Sequence, residues 1–116
     1  MLENSVYIVG GGHAGVEAAF ALSRMKIKSI LISMDNNSLG RLSCNPAIGG
    51  LAKSQLVKEI DALGGIMGQA ADLNGIQFKI LNKTKGRAVW ATRAQVDKKN
   101  YPNYIKKLIS NDKNIK

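Results

Sequence analysis

The chain has 116 residues, room for one modest domain, and its 45% hydrophobic content supplies a core of Ile, Leu, Val and Ala. No apolar run reaches membrane-spanning length, the start Met1-Leu2-Glu3-Asn4 has no basic segment ahead of its apolar run, and Cys44, being single, excludes an internal disulfide. With no Cys/His cluster for a metal, the expectation is a soluble cytoplasmic protein with neither membrane span nor metal site.

The net charge of +9 is one-sided. Residues 1–75 hold six Lys/Arg and six Asp/Glu, whereas residues 76–116 hold eleven Lys/Arg against Asp97 and Asp112. Such a stretch suits a polyanion such as nucleic acid, or simply solvates a surface.

Ser5-Val6-Tyr7-Ile8-Val9 is a short β-rich run that meets glycine abruptly and predicts a buried parallel strand. Helix formers follow from His13 to Met25, with Val16, Ala19, Phe20 and Ser23 on one face. Ser29-Ile30-Leu31-Ile32-Ser33 predicts a second strand, so the first third is a β-α-β unit. Residues 34–50, rich in Asn and Gly, predict a loop. Leu51 to Leu63 predicts a helix with Leu56, Val57, Ile60 and Leu63 on one stripe, stopped by Gly64-Gly65. Gly75 to Leu81 alternates and predicts a strand, and Asn82 to Gly86 a polar basic loop. Thr92-Arg93-Ala94-Gln95 has capping-box spacing and predicts a helix running to Ile109, with Val96, Tyr101, Tyr104, Ile105 and Leu108 inward. Pro102 falls inside that helix and predicts a kink or break near Tyr101.

The chemistry lies where the first strand meets the first helix. Gly10, Gly12 and Gly15 form G-x-G-x-x-G within Gly10-Gly11-Gly12-His13-Ala14-Gly15. Gly10 permits the sharp turn, Gly12 leaves room for a pyrophosphate beside the backbone, and Gly15 allows helix and strand to pack closely. The free N–H groups and positive dipole end of the helix then face the phosphates. A lone glycine pattern is weak evidence; here it follows a strand, opens a helix and precedes a second strand at the right distance. These features predict an α/β Rossmann-type unit with a parallel sheet. The acid expected at the end of the second strand is replaced by Ser33, which either bonds a ribose hydroxyl or merely ends the strand. His13 either donates to a phosphate or packs its ring at the surface, and Glu17 is expected in the first helical turn.

Longer motifs add a family resemblance. Gly10 through Ala19, then Ser43-Cys44-Asn45-Pro46-Ala47-Ile48-Gly49-Gly50, then Leu56 through Gly65, resemble the glucose-inhibited division protein A family; Gly75 through Asn82 and Ala91 through Gln95 continue the likeness. It covers nearly the whole chain. The resemblance implies an FAD-binding subunit that uses reduced nicotinamide cofactor and modifies C5 of the wobble uridine in certain tRNAs. It also implies a GTPase partner, a folate one-carbon donor and a homodimer in the full-length family. It carries the phosphate-binding role onto Gly10, Gly11, Gly12 and Gly15, with His13 and Ala14 between them. Cys44 matches the family's S-C-N-P cysteine and is either a reactive thiol near the flavin or a small residue packed in a tight loop. Lys79, Lys83, Lys85, Arg87 and Arg93 approach tRNA phosphate, the FAD pyrophosphate or solvent.

Four positions depart from the family pattern: Lys26 for glycine, Arg87 for proline, Trp90 for arginine, and Pro102 in the last helix. The family runs to several hundred residues, so residues 1–116 are expected to be the N-terminal part of an incomplete FAD-binding domain from a truncated gene product, with an uncovered sheet edge. The alternative is a remnant or a small nucleotide- or RNA-binding module without catalysis.

Overall fold

The first β-rich run forms strand β1 (Val6–Val9), and the helix formers after the glycines form α1 (His13–Arg24). Strand β2 (Ser29–Ile32) returns parallel to β1, in register from Val6 opposite Ser29 to Val9 opposite Ile32. These are the elements of the predicted β-α-β unit, here in a computed structural model that describes residues 4–116. Met1-Leu2-Glu3, from the start that has no basic segment, lies outside the described residues. No helix among them is long and apolar enough to cross a membrane, and no cluster of potential metal ligands is present among them.

The chain divides into two compact units, one of residues up to Arg41 with Pro102–Lys116, the other of Leu42–Tyr101. In the first unit, Val16, Ala19 and Phe20 are buried on the predicted face of α1. Ser23, on the same face, donates its hydroxyl to the Asp112 carboxylate, with oxygen distances of 2.6 and 2.8 Å. The last residues pair with β2. Ser29 N donates to the Asn114 carbonyl (2.8 Å), Lys116 N to Ser29 (2.9 Å) and Leu31 N to Lys116 (2.7 Å), so residues 114–116 add a parallel rung to the free side of β2.

Strand β1 is not buried as its composition predicted: Val6, Tyr7 and Val9 are exposed, Val9 at 84%. The reason is position, because β1 pairs only with β2 and leaves its other edge open among the described residues. A parallel strand needs cover on both faces to hide a run of this kind.

The second unit departs further from expectation. The predicted loop 34–50 contains a 3-10 turn at Asn36–Ser38 and ends in a short strand, β3 (Ala47–Gly49). Helix α2 (Lys53–Ala62) matches the prediction and stops at Gly64-Gly65, where Gly64 is left-handed (φ +81) and Gly65 N bonds Ile60 O at 2.8 Å. Its expected apolar stripe is largely uncovered, with Leu56 and Leu63 exposed. Helix α3 (Met67–Leu73), which no sequence signal announced, follows. Strand β4 (Gly75–Leu81) has the predicted bounds.

The predicted helix from Thr92 is wrong. Residues Ala91–Val96 form strand β5, the centre of an antiparallel sheet ordered β3-β5-β4. Two partner strands satisfy both edges of β5, and that outweighs a local capping pattern. The helix starts later, as α4 (Asn100–Asn111), and Asp97 opens it: its carboxylate accepts from Lys99 N (2.8 Å) and Asn100 N (2.7 Å). These backbone donors, Asn100 first, hold the Asp97 carboxyl below its ordinary range. Pro102 therefore lies third in α4, and the long helix it was expected to kink or break is absent. Val96, Tyr101 and Ile105 are buried as predicted.

Lys26 shows what the lost glycine means. It closes α1 in the left-handed region (φ 60), with Lys26 N bonded to Ser23 O and Ile27 N to Leu22 O, both at 2.9 Å. A Cβ is strained there, so Lys26→Gly is expected to stabilise the chain by about 1 kcal/mol. Urea unfolding checks this; an unchanged or lower midpoint contradicts the cap assignment.

Candidate dinucleotide-binding site

The predicted glycines occupy one turn between β1 and α1, and each does different work. Gly10 has φ +113, a conformation that L side chains rarely adopt, and its N–H continues the ladder by donating to Ile32 O at 2.8 Å. Gly15 is the tightest position: a Cβ there would overlap the Gly10 carbonyl oxygen and touch Ile8 Cγ2 at 3.4 Å. Gly11 is buried, and a Cβ would overlap the Leu39 side chain and approach Ser33 Oγ at 3.0 Å. Gly12, like Gly10, is exposed with nothing within 4 Å of an added Cβ, but its φ of −73 is one that any residue adopts.

Gly12 is also the N-cap of α1 and brings no side-chain acceptor. Its carbonyl accepts the first helical bond from Val16 N at 3.0 Å. No acid lies in the first turn, so Glu17 falls one turn later than the sequence reading placed it. Ala14 is exposed beside Gly12. A helix start with no acid and no capping side chain leaves donors and positive dipole for an external anion.

The loop after β2 supports this turn. Gly40 N donates to the Gly11 carbonyl at 2.9 Å, with Gly40 itself left-handed (φ +62). Ser33, next to Gly11, is engaged in the same loop: its hydroxyl donates to Asp35 O at 3.1 Å and lies 3.2 Å from Ser38 Oγ. The Asp35 carboxylate accepts from Asn37 N at 2.8 Å, which fixes the 3-10 turn. Leu39 and Gly40 were missed in the sequence; the left-handed glycine after an Asp-Asn-Asn-Ser turn is the signal that would have found them.

His13 is partly buried, and burial lowers its pKa from 6.5, with Glu17 pulling the other way. The ring is neutral at pH 7, so any attraction for phosphate here comes from backbone and dipole rather than an imidazolium charge.

Cys44 lies in the second unit and is exposed among the described residues. Lys79, Lys83, Lys85, Arg87 and Arg93 are also in that unit and all exposed. Two departures from the family pattern meet there: the Arg87 guanidinium lies 5.7 Å from the centre of the Trp90 ring. Trp90 Nε1 donates to Lys85 O at 3.0 Å and fixes the loop.

With that geometry in view, comparison with known proteins is decisive. The model of the family described as Glucose inhibited division protein A matches residues 5–116. The chain belongs to this family. It is 54% identical over 113 residues to the tRNA uridine 5-carboxymethylaminomethyl modification enzyme MnmG of Aquifex aeolicus (strain VF5), covering 97% of this chain and 18% of that protein. Two crystal forms of Aquifex aeolicus GidA superpose on it. Form II has a TM-score of 0.91 at 51% identity over 99% of this chain, and form I 0.89 at 54% over 97%, each covering 19% of the GidA chain. The fold is therefore that of the family's N-terminal α/β region.

Two outcomes check the site. Gly15→Ala is expected to cost at least about 2 kcal/mol through overlap with the Gly10 carbonyl, while Gly12→Ala costs about 1 kcal/mol or less; equal effects in urea unfolding contradict the packing. His13 favours its neutral form in the fold, so the unfolded chain takes up its proton first. Stability is then full above pH 6.5 and falls as pH drops below it, until the lowered folded pKa is passed. A His13→Gln variant should lose that part of the pH dependence, and an unchanged profile contradicts the assignment.

Proposed function

We propose that this chain is the pyrophosphate-binding N-terminal part of an FAD-binding domain, in an enzyme that adds a carboxymethylaminomethyl group at C5 of the wobble uridine of certain tRNAs. The observation that carries the reading is the open Gly12 beside a helix start free of acid. The likeness to MnmG supports the tRNA chemistry. The chain spans 18% of that relative, so residues 1–116 are assigned the cofactor-binding share of the activity and not the reaction itself.

The residues fit the cofactor's diphosphate. Gly12 leaves the space, the first turn of α1 points its donors there, and Gly15 holds α1 against β1 so that the turn stays in place. Ser33 stands at the end of β2, where this class of site meets a ribose hydroxyl. FAD, when bound, supplies two-electron transfer from a reduced nicotinamide donor. A GTPase subunit, tRNA and a second copy of the full-length protein are the partners that belong to this reading.

The test is FAD binding by the purified chain. FAD at a hundred times its Kd should stabilise the chain by about 2.7 kcal/mol, read as a rise in Tm. Gly12→Val should remove that rise while still folding, because its side chain enters open space that the phosphate needs. Absence of any shift in the parent defeats cofactor binding by this chain; an undiminished shift in the variant defeats the site.

A further inference from the structure

We propose that one face of the β3-β5-β4 sheet, centred on the cross-strand pair Lys79–Arg93, docks the ribose–phosphate backbone of RNA. The inference rests on the tRNA-modification reading and gives its RNA a place on this chain.

After a bulge between Gly75 and Gln77, β4 and β5 pair Gln77 with Gln95, Phe78 with Ala94, and Lys79 with Arg93. Side chains alternate along a strand, so Gln77 and Lys79 share a face with Gln95 and Arg93. Phe78 and Ala94 take the other face and line a cleft with residues of α2 and α3. All four residues of the Gln/Lys/Arg face are exposed.

On the far side of β5, Ala47 stands opposite Gln95 and Gly49 opposite Arg93. The face therefore has a cationic row, Lys79-Arg93-Gly49, beside an amide row, Gln77-Gln95-Ala47. The third strand adds no bulk, so a backbone can approach closely. Amides accept and donate, which suits ribose hydroxyls and base edges.

The cationic pair is costly by itself. Side chains directly opposite in an antiparallel pair sit about 5 Å apart at Cβ, and like charges there destabilise the sheet. Neither the Lys79 nor the Arg93 side chain has a hydrogen bond or ion pair among the described residues. No acid occurs between Asp72 and Asp97, a run that also holds Lys83, Lys85 and Arg87 in the hairpin loop. An anion between the two side chains turns that repulsion into attraction, and a polyanion also engages the loop cations. Trp90 in that loop, braced by Arg87, offers a ring to an unstacked base.

The experiment uses the whole chain and an unmodified anticodon stem–loop RNA with uridine at the wobble position. Binding is followed by anisotropy of labelled RNA and by fluorescence of Trp90, the single tryptophan. The parent should bind with a steep salt dependence. Lys79→Gln with Arg93→Gln should weaken binding at least tenfold at low salt and flatten the log–log salt slope by about 1.4, at about 0.7 per single-strand phosphate contact. Its Tm without RNA should not fall, since a repulsion is removed. If the double variant does not fold, Lys79→Gln alone should show half the slope change. Lys79→Arg with Arg93→Lys should restore binding.

Unchanged affinity and slope in the glutamine variants overturn the proposal, as does a parent that does not bind the RNA. Equal, pair-dependent binding to phosphatidylserine vesicles overturns it in favour of a general anionic surface. Loss of the FAD shift in the double variant overturns it by assigning the pair to the cofactor. A parent that binds RNA through this pair but takes no FAD upholds the docking face while the cofactor reading falls.

Discussion

The close approach of Gly15 to the Gly10 carbonyl is the constraint on which the first unit depends. With no side chain at position 15, α1 begins against the end of β1 instead of several ångströms away. That contact fixes where the first helical turn points and leaves Gly12 exposed. The loop after β2 braces the same turn from behind, since Gly40 N holds the Gly11 carbonyl and the Leu39 side chain fills the space beside Gly11. Gly10, Gly11 and Gly15 thus serve geometry, Gly10 through its backbone conformation and the other two through close contacts, while Gly12 is open with an ordinary φ of −73. In the proposed site, cofactor recognition is the consequence of a packing decision made three residues away.

In the two proposals made for them, the two units attract anions by different physics. In the first, a neutral His13 and a helix start free of acid leave attraction to oriented backbone dipoles, which act only at short range and in one geometry. In the second, the exposed cations of β4, β5 and their loop act at longer range and weaken with salt. The first arrangement suits one small diphosphate held in a defined pose. The second suits an extended polyanion, as proposed for the sheet face.

Legibility followed the distance over which each element is determined. The glycine turn, α1, β2, the Gly64 stop and β4 are set by neighbours in sequence, and the residues announce them. The Thr92-Arg93-Ala94-Gln95 segment does not: its residues satisfy a helix-capping pattern, yet β3 and β4, remote in sequence, make it a central strand. Asp97, the true cap, was hidden behind that reading. Strand β3 is three residues long and exists only because β5 is there to pair with it. The exposure of β1 follows from its lacking a second neighbour among the described residues, which composition cannot reveal. At the candidate site, the motif located the turn but not the division of labour among its glycines, which depends on Leu39, Ser33 and Gly40.

The central claim is that the turn from Gly10 to Gly15 holds a dinucleotide's diphosphate. Phosphorus NMR of FAD titrated with the chain observes those two phosphorus atoms directly. The account predicts that both resonances shift and broaden with the parent chain and stay at their free positions with Gly12→Val. Resonances unmoved by the parent, or moved equally by the variant, would contradict it.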